Sequence, residues 1–388
     1  MSRHPVIGVL GASGAVGRAA VRELRALGHT ALRLGGRRPE ALHEVAASEA
    51  GRGGGDASVA EVDADDPASL ARFAAGCAVV LNCAGPTYRL RATVPAAALA
   101  AGAHCVDVAG DDPAAEDLAA AGSAPPGLSV VLSAGTLPGL SGILPRWLAR
   151  QGHSRATALT AYCGGLEPCT PTVAADLLLS LSTGGADGAA YGEPLAAWRA
   201  GRKEPRALRV AEGAQVPGFP GRVAVQPFLG AETERLAYHL GLDRLDWFNV
   251  HPGPRVRSTL NEMPGRIAEG ADREELAETL MLAARLDLAG HTPYYVMDFH
   301  LTGSHLGRRT GRRLTVRTSS SYRLTAAVGT MAVTAVLRGE ITPGVHYATD
   351  VLDPDAVVDR IRTGGSVEGF DLTEDGAEST DMAEEGTL

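Results

Sequence analysis

PVIGVLGASGAVG, residues 5–17, is the stretch on which the reading of this chain turns. Its first six residues are an apolar run of strand length that ends at Gly11, and Gly14 and Gly17 follow at intervals of three. Residues 18–27 then repeat apolar side chains at helical spacing through Ala20, Val21, Leu24 and Leu27. Strand, glycine turn and helix in that order suit a dinucleotide-binding unit, with a glycine turn that serves the fold alone as the alternative. Glycines let the backbone approach a pyrophosphate, and the helix N-terminus offers unpaired N–H groups and the positive end of a dipole. The spacing is GxxGxxG, a variant of the GxGxxG fingerprint.

Working outward, a second strand is expected at residues 31–34, followed by Gly35-Gly36-Arg37-Arg38. An NAD-binding chain places an acid there for the ribose 2′-hydroxyl. Here two arginines stand instead, and a guanidinium suits a 2′-phosphate, so NADP is the expected cofactor, the alternative being that Arg37 and Arg38 form a solvated turn before the helix at Pro39. A third strand at 59–62 ends at Asp63, a helix spans 67–75, and a continuous apolar strand at 77–83 ends at Ala84-Gly85-Pro86. A helix at 91–101 and strands at 105–108 and 128–132 continue the alternation. The pattern predicts an α/β fold whose N-terminal half is a Rossmann-type doubly wound parallel sheet, with ligands at the carboxyl ends of the strands.

The second half reads as an α+β substrate and dimerisation domain with a mixed sheet. A helix follows Gly139 to about residue 151, a strand covers 155–162, and helices cover 172–181 and 274–289. From residue 292 the pattern is strand, arginine-rich turn at 308–313, strand. Residues 184–221, rich in Gly, Pro and Arg, are expected to be a loop or lid. The helix at 325–337 is made of small residues and suits the core or a dimer interface. The expected organisation is a cofactor domain over 1–135, the second domain over 136–340, a segment over 341–370 returning to the first, and an acidic, disordered tail over 371–388.

Length and composition bound the function. A chain of 388 residues, 45% hydrophobic and 21% charged, can bury a substantial core in two joined domains. The net charge is −9, but the last fifteen residues hold six acids and no base, so −9 falls to −3 without them. Neither that balance nor 4% aromatic residues favours nucleic acid. Lys203 is the only lysine, which leaves no other residue for Schiff-base chemistry. Cys77, Cys83, Cys105, Cys163 and Cys169 include no CxxC pair, so free thiols are expected and no metal site. The N-terminus leaves no room for a cleavable apolar leader, no segment reads as membrane-spanning, and a cytoplasmic location is expected.

Several segments together resemble a known family: GASGAVG (11–17), GGRRPEAL (35–42), VVLNCAGP (79–86), AALAAGAHCVDVAGD (97–111), AGTLPGLS (134–141), YCGGL (162–166) and LTAAVGTMAVTAVLRGEITPGV (324–345). The chain resembles the saccharopine dehydrogenase-like family, in particular its NADP-dependent, glutamate-forming reductases and their relatives, the carboxynorspermidine synthases and trans-acting enoyl reductases. That resemblance implies phosphate contacts at Gly11, Ser13, Gly14, Ala15 and Val16, with Gly17 completing the motif. It also implies Arg37, with Arg38 beside it, at the 2′-phosphate, Asp63 near the adenine, and Ala84, Gly85 and Asp107 toward the nicotinamide. The family's GGLP reads Gly164-Gly165-Leu166-Glu167-Pro168 here, a departure that bears on the substrate.

A nicotinamide site at the mouth of a second domain implies hydride transfer, with the protein setting geometry and charge. The expectation is an NADPH-dependent reductase of a C=N bond formed from an amine and an oxo acid. A C=C reductase acting on a carrier-bound intermediate and a non-catalytic NADP(H) sensor are the alternatives. A small substrate, carboxylate-bearing, and a homodimer are expected. No catalytic residue is assigned; the candidates are Asp107, Tyr162, Glu167 and His251, each with a structural alternative. Asp107 suits a loop cap, Tyr162 a core position, Glu167 a solvated loop, and His251 a turn facing the cleft, with Arg255 and Arg257 beside it. Cys163 is expected to be an inert buried thiol.

Overall fold

Four-residue apolar runs separated by helices build the first layer of the computed structural model, which describes residues 4–50, 57–122, 124–152, 155–182, 191–306 and 308–375. The elements are β1 (Ile7–Leu10), α1 (Ala15–Ala26), β2 (Leu32–Gly36), α2 (Pro39–Glu49), β3 (Ser58–Glu61), α3 (Pro67–Ala74), β4 (Val79–Asn82), α4 (Thr87–Leu90), α5 (Thr93–Ala100), β5 (His104–Asp107), α6 (Asp112–Ala120) and β6 (Ser129–Leu132). Every residue of β1, β4 and β6 is buried, as strands covered on both faces must be. Proline opens α2 and α3, and Asp66 caps α3 by accepting the Ala68 N–H at 2.9 Å.

The chain then crosses over through α7 (Leu140–Arg150), β7 (Arg155–Leu166), α8 (Pro171–Ser182), β8 (Gly192–Pro194), β9 (Ala197–Arg199), β10 (Arg202–Glu204), β11 (Ala211–Gln215), β12 (Arg222–Gly230), α9 (Ala231–Leu240), β13 (Arg244–His251), α10 (Pro254–Ala268), α11 (Arg273–Leu288), β14 (Tyr294–His305) and β15 (Arg308–Thr318). It closes with α12 (Ser321–Leu337), β16 (Gly344–Tyr347), α13 (Ala348–Val351), α14 (Pro354–Thr363) and β17 (Gly369–Glu374).

The first sheet is parallel throughout, in the order β16-β6-β5-β4-β1-β2-β3. The second runs β10-β9-β13-β7-β14-β15-β17, with β12 also on β13 and β11 and β8 on β12. It is mixed: β7 and β13 are parallel, and the remaining pairs are antiparallel. The small-residue helix α12 lies against α1, β4 and β5. A Cβ on Gly329 would be 3.0 Å from Val108 Cγ1 and 3.3 Å from Leu81 Cδ1, so the composition of this helix sets how close it comes to the first sheet. Residues of both sheets and of α12 share one apolar core that includes Val9, Leu81, Trp247, Phe299 and Val328.

Three expectations change. Residues 192–215 form four short strands, and Trp198 within them is buried with its indole N–H on the Leu242 carbonyl at 2.9 Å; residues 184–190 lie outside the described residues. The arginines of 308–313 stand on strand β15, where Arg313 pairs at 2.6 Å with the fully buried Asp298 and Arg312 pairs with Glu374. The charges of Arg312 and Arg313 are satisfied across strands, while Arg308 and Arg309 are exposed at the start of β15. The tail expected from residue 371 begins instead with β17, paired to β15, while residues 376–388 lie outside the described residues. What docks β17 is Phe370, edge-on to Trp147 at 5.4 Å and beneath Arg362. Phe370→Ala is expected to lower stability by about 1–2 kcal/mol in chemical denaturation; an unchanged midpoint would mean that β17 is not held there.

Candidate active site

The glycine turn is built by contacts that exclude side chains at two of its three glycines. Gly11 has φ +76°, and a Cβ there would fall 2.8 Å from the Cys83 carbonyl at the end of β4. At Gly17 a Cβ would fall 2.2 Å from the Gly11 oxygen, so α1 packs directly on the turn. Gly14 is different: a Cβ there meets only the Gly11 oxygen, at 3.2 Å. No side chain caps α1 at Gly14, which leaves its first-turn N–H groups, Ala15 and Val16 among them, to a ligand. The fold demands Gly11 and Gly17, and Gly14 keeps the cradle open for a pyrophosphate. Ser13 lies in the same turn, with its carbonyl held by Arg18 Nε at 2.9 Å.

Arg37 and Arg38 follow β2 at the carboxyl edge, exposed and without an ion pair among the described residues. Asp63 stands just past β3, its N–H on Ser69 Oγ at 3.2 Å and its carboxylate accepting the Asp65 N–H at 3.0 Å. The turn and these arginines line one edge of the sheet, and the residues present fit an NADP molecule laid across it.

At the carboxyl ends of β4 and β6, elements that belong to the second sheet's half of the chain close over the first sheet. Ala84 and Gly85 follow β4, and a Cβ on Gly85 would fall 2.5 Å from Thr172 at the start of α8. From the same helix Asp176 accepts the Thr87 N–H at 2.5 Å and the Tyr88 N–H at 3.4 Å. Past β6, Thr136 donates to the Ser321 carbonyl at 3.0 Å and sits 2.9 Å from the Thr325 hydroxyl. The Ser321 N–H, at the N-terminus of α12, donates to Glu167 Oε1 at 2.6 Å. Glu167 is thereby joined through Ser321 to the end of β6, on the edge that carries the glycine turn. Burial raises its carboxyl to about 7 against the pull of the Ser321 donors, and burial raises Asp176 to about 6 in the same way.

The other candidates lie elsewhere or are committed. Asp107 is 3% exposed and accepts from Asn82 Nδ2 at 2.8 Å and from the Ala109 and Gly110 N–H groups at 2.9 Å each. Three donors hold it in place at the end of β5, the structural role of a loop cap. Tyr162 points to the opposite face of β7 from Cys163, stacked on Phe248 at 4.9 Å among Val225, Val250 and Val296. His251 ends strand β13 instead of sitting in a turn, and it lines a separate cavity with Arg257. Arg255 pairs with Asp287. Cys163 is buried, its thiol held well above the usual range by burial. Thr136, Thr172, Asp176, Ser321 and Thr325 carry no motif; only packing brings them to the cleft.

Residues 7–125 match the family model described as the saccharopine dehydrogenase NADP-binding domain. The chain is similar in structure to an apo histidine-tagged saccharopine dehydrogenase (L-Glu forming) from Saccharomyces cerevisiae, with TM-score 0.67 and 15% identity over 96% of this chain and 100% of that one. A Rossmann-fold NAD(P)-binding family protein from Shigella flexneri matches at TM-score 0.26 and 20% identity over 34% of this chain and 66% of that one. No curated protein sequence matches. Among the described residues no helix is long and apolar enough to cross a membrane. With NADP(H) as cofactor, Arg37→Ala is expected to weaken NADPH binding about tenfold or more and to leave NADH binding nearly unchanged; equal loss for both in calorimetric titration would remove Arg37 from the 2′-phosphate. The glycine cradle and the match of residues 7–125 to the saccharopine dehydrogenase NADP-binding domain identify NADP(H) as the cofactor, held by a chain whose two-sheet fold is similar to that of the yeast structure.

Proposed function

We propose that the chain is an NADPH-dependent reductase acting on a C=N bond formed from an amine and an oxo acid. The observation that supports this reading is Glu167, a half-buried carboxyl held at the N-terminus of α12, on the edge of the first sheet that carries the dinucleotide turn. When bound, NADPH supplies a hydride. The protein's own part is to orient, to exclude water and to manage one proton. An imine accepts hydride at carbon most readily when its nitrogen is protonated, and no proton is then needed at the reacting carbon. Glu167, with its carboxyl near 7, carries that proton in a useful fraction of molecules at neutral pH, and its hydrogen bonds come from Ser321 and not from a cation. Thr136, Thr172 and Thr325 add hydroxyls that orient a polar substrate, and α8, tied down by Asp176, covers the end of β4.

The pH dependence follows from the sign of the shift. A carboxyl raised to about 7 is protonated below that value and ionised above it, so reductive turnover is expected to fall as pH rises through about 7. Glu167→Gln is expected to abolish that limb and to lower kcat by about a hundredfold while leaving NADPH affinity intact. The assay is NADPH oxidation with panels of amines and oxo acids. NADPH binding without oxidation by any pair, or turnover only with enoyl substrates, would refute the C=N reading. An unchanged pH limb in Glu167→Gln would remove Glu167 from the proton path.

A further inference from the structure

At the β11–β12 edge of the second sheet, these two strands, the end of β13 and the start of α10 surround a cavity of about 390 Å³. Neither the glycine turn nor Ala84, Gly85, Thr136 or Glu167 lines it. Its centre is Arg257, from the first turn of α10, whose side chain is only 13% exposed. The guanidinium donates from Nε and Nη2 to Glu212 Oε1 at 3.2 and 3.1 Å, and from Nη1 to Gln226 Oε1 at 3.1 Å. Arg222 spends one N–H on the Gly213 carbonyl at 2.9 Å. His251 faces the same space with no hydrogen-bond partner among the described residues, as does the Asn261 amide. Burial first, and Arg257 second, lower His251 to about 4, so at neutral pH it offers one N–H donor and one acceptor.

Glu212 reaches Arg257 through a local irregularity of the strand. The pairing of β11 with β12 runs Ala211 to Val225 and then Ala214 to Val223, so Glu212 and Gly213 together oppose Ala224, and Gly213 takes φ +63°. Bulges of this kind turn a side chain out of the regular alternation. The result is a carboxylate that is 66% exposed, on a short edge strand, laid against a nearly buried guanidinium. An exposed acid in that position gains little from the ion pair itself. Its carboxylate occupies the place a ligand's carboxylate would take, flanked by Asn261, Arg222 and His251.

We infer that this cavity binds a small carboxylate, and that Glu212 is its internal competitor, swinging off Arg257 when the ligand enters. Arg257 supplies the charged, planar donor set suited to a carboxylate, His251 and Asn261 add neutral donors, and Arg222 supplies a second positive charge at the rim.

The test is calorimetric titration of the full-length protein with glutarate, with the neutral glutaramide as control and inorganic phosphate as a separate arm. Glutarate is expected to bind at one site per chain, with or without saturating NADPH, and glutaramide is not. Glu212→Gln is expected to tighten glutarate by at least about threefold, because removing a competitor raises the fraction of open sites. Arg257→Gln is expected to weaken it about tenfold or more. Arg222→Gln, farther from the buried centre, gives a second loss-of-charge variant should Arg257→Gln fail to fold, and it too is expected to weaken glutarate. Absence of glutarate binding in both the parent and Glu212→Gln would overturn the site. Weaker binding in Glu212→Gln would overturn the competitor role, and phosphate bound as tightly as glutarate would overturn the assignment to carboxylates.

Discussion

Loops that leave the carboxyl edge of a parallel sheet carry backbone N–H groups that no neighbouring strand can pair, and burying them unpaired is costly. In this protein carboxylates pair them. Asp107 accepts from Ala109 and Gly110, Asp176 from Thr87 and Tyr88, Glu232 from Gly139, and Glu167 from Ser321. Of these, Asp176 reaches from α8 to the loop after β4, so the bonds that complete that loop also tie the second sheet's helix to the first sheet. A regular scaffold thus receives an irregular but well-determined edge, and the dinucleotide turn lies on that edge.

These carboxylates are buried among N–H and hydroxyl donors instead of cations, and burial dominates their titration. Glu232, 6% exposed and also bonded by Ser141, is raised to about 7, as is Glu167. A carboxyl whose folded value is raised holds its proton better in the folded chain than in the unfolded one. Stability contributed by such groups is present at low pH and is lost as pH rises from the ordinary carboxylate range through about 7. The exception on this edge is Arg235, which pairs with Asp111 at 2.6 Å and with Asp112 while lying over the Tyr347 ring, a cationic clasp between α9, α6 and β16.

The two sheets are less separable than the order of elements implies. The helix α12, which follows the last long hairpin of the second sheet, packs on the first sheet, and the chain then adds β16 to the first and β17 to the second. Small side chains make this possible: with Ala326, Ala327, Gly329 and Ala332 along its buried side, α12 comes close to α1 and the strands beneath. Its N-terminus is thereby carried to the carboxyl edge, where Ser321 links Glu167 to Thr136. Core packing in one part of the molecule places a polar contact in another.

Much of this was legible in the chain itself. Local apolar runs and glycine spacing determined β1, the turn and α1, because Gly11 and Gly17 answer contacts within a few residues or with an adjacent strand. The alternation of strands and helices determined the parallel sheet, and Arg37 in place of an acid pointed to NADP. Around the candidate cleft only Glu167 was legible, because Thr136, Asp176 and Ser321 are far from it in sequence and their hydroxyls and carboxyl carry no periodicity. For the same reason Tyr162 and His251, plausible by residue type, fall on a different sheet face and in a different cavity, and the arginines of 308–313 become strand residues once Asp298 and Glu374 lie opposite them. Sequence determines what a segment can form and which turn glycines a cofactor needs. Only the packing of α8 and α12 against the first sheet decides which distant side chains share a cleft, because that placement follows from core volume and buried hydrogen bonds.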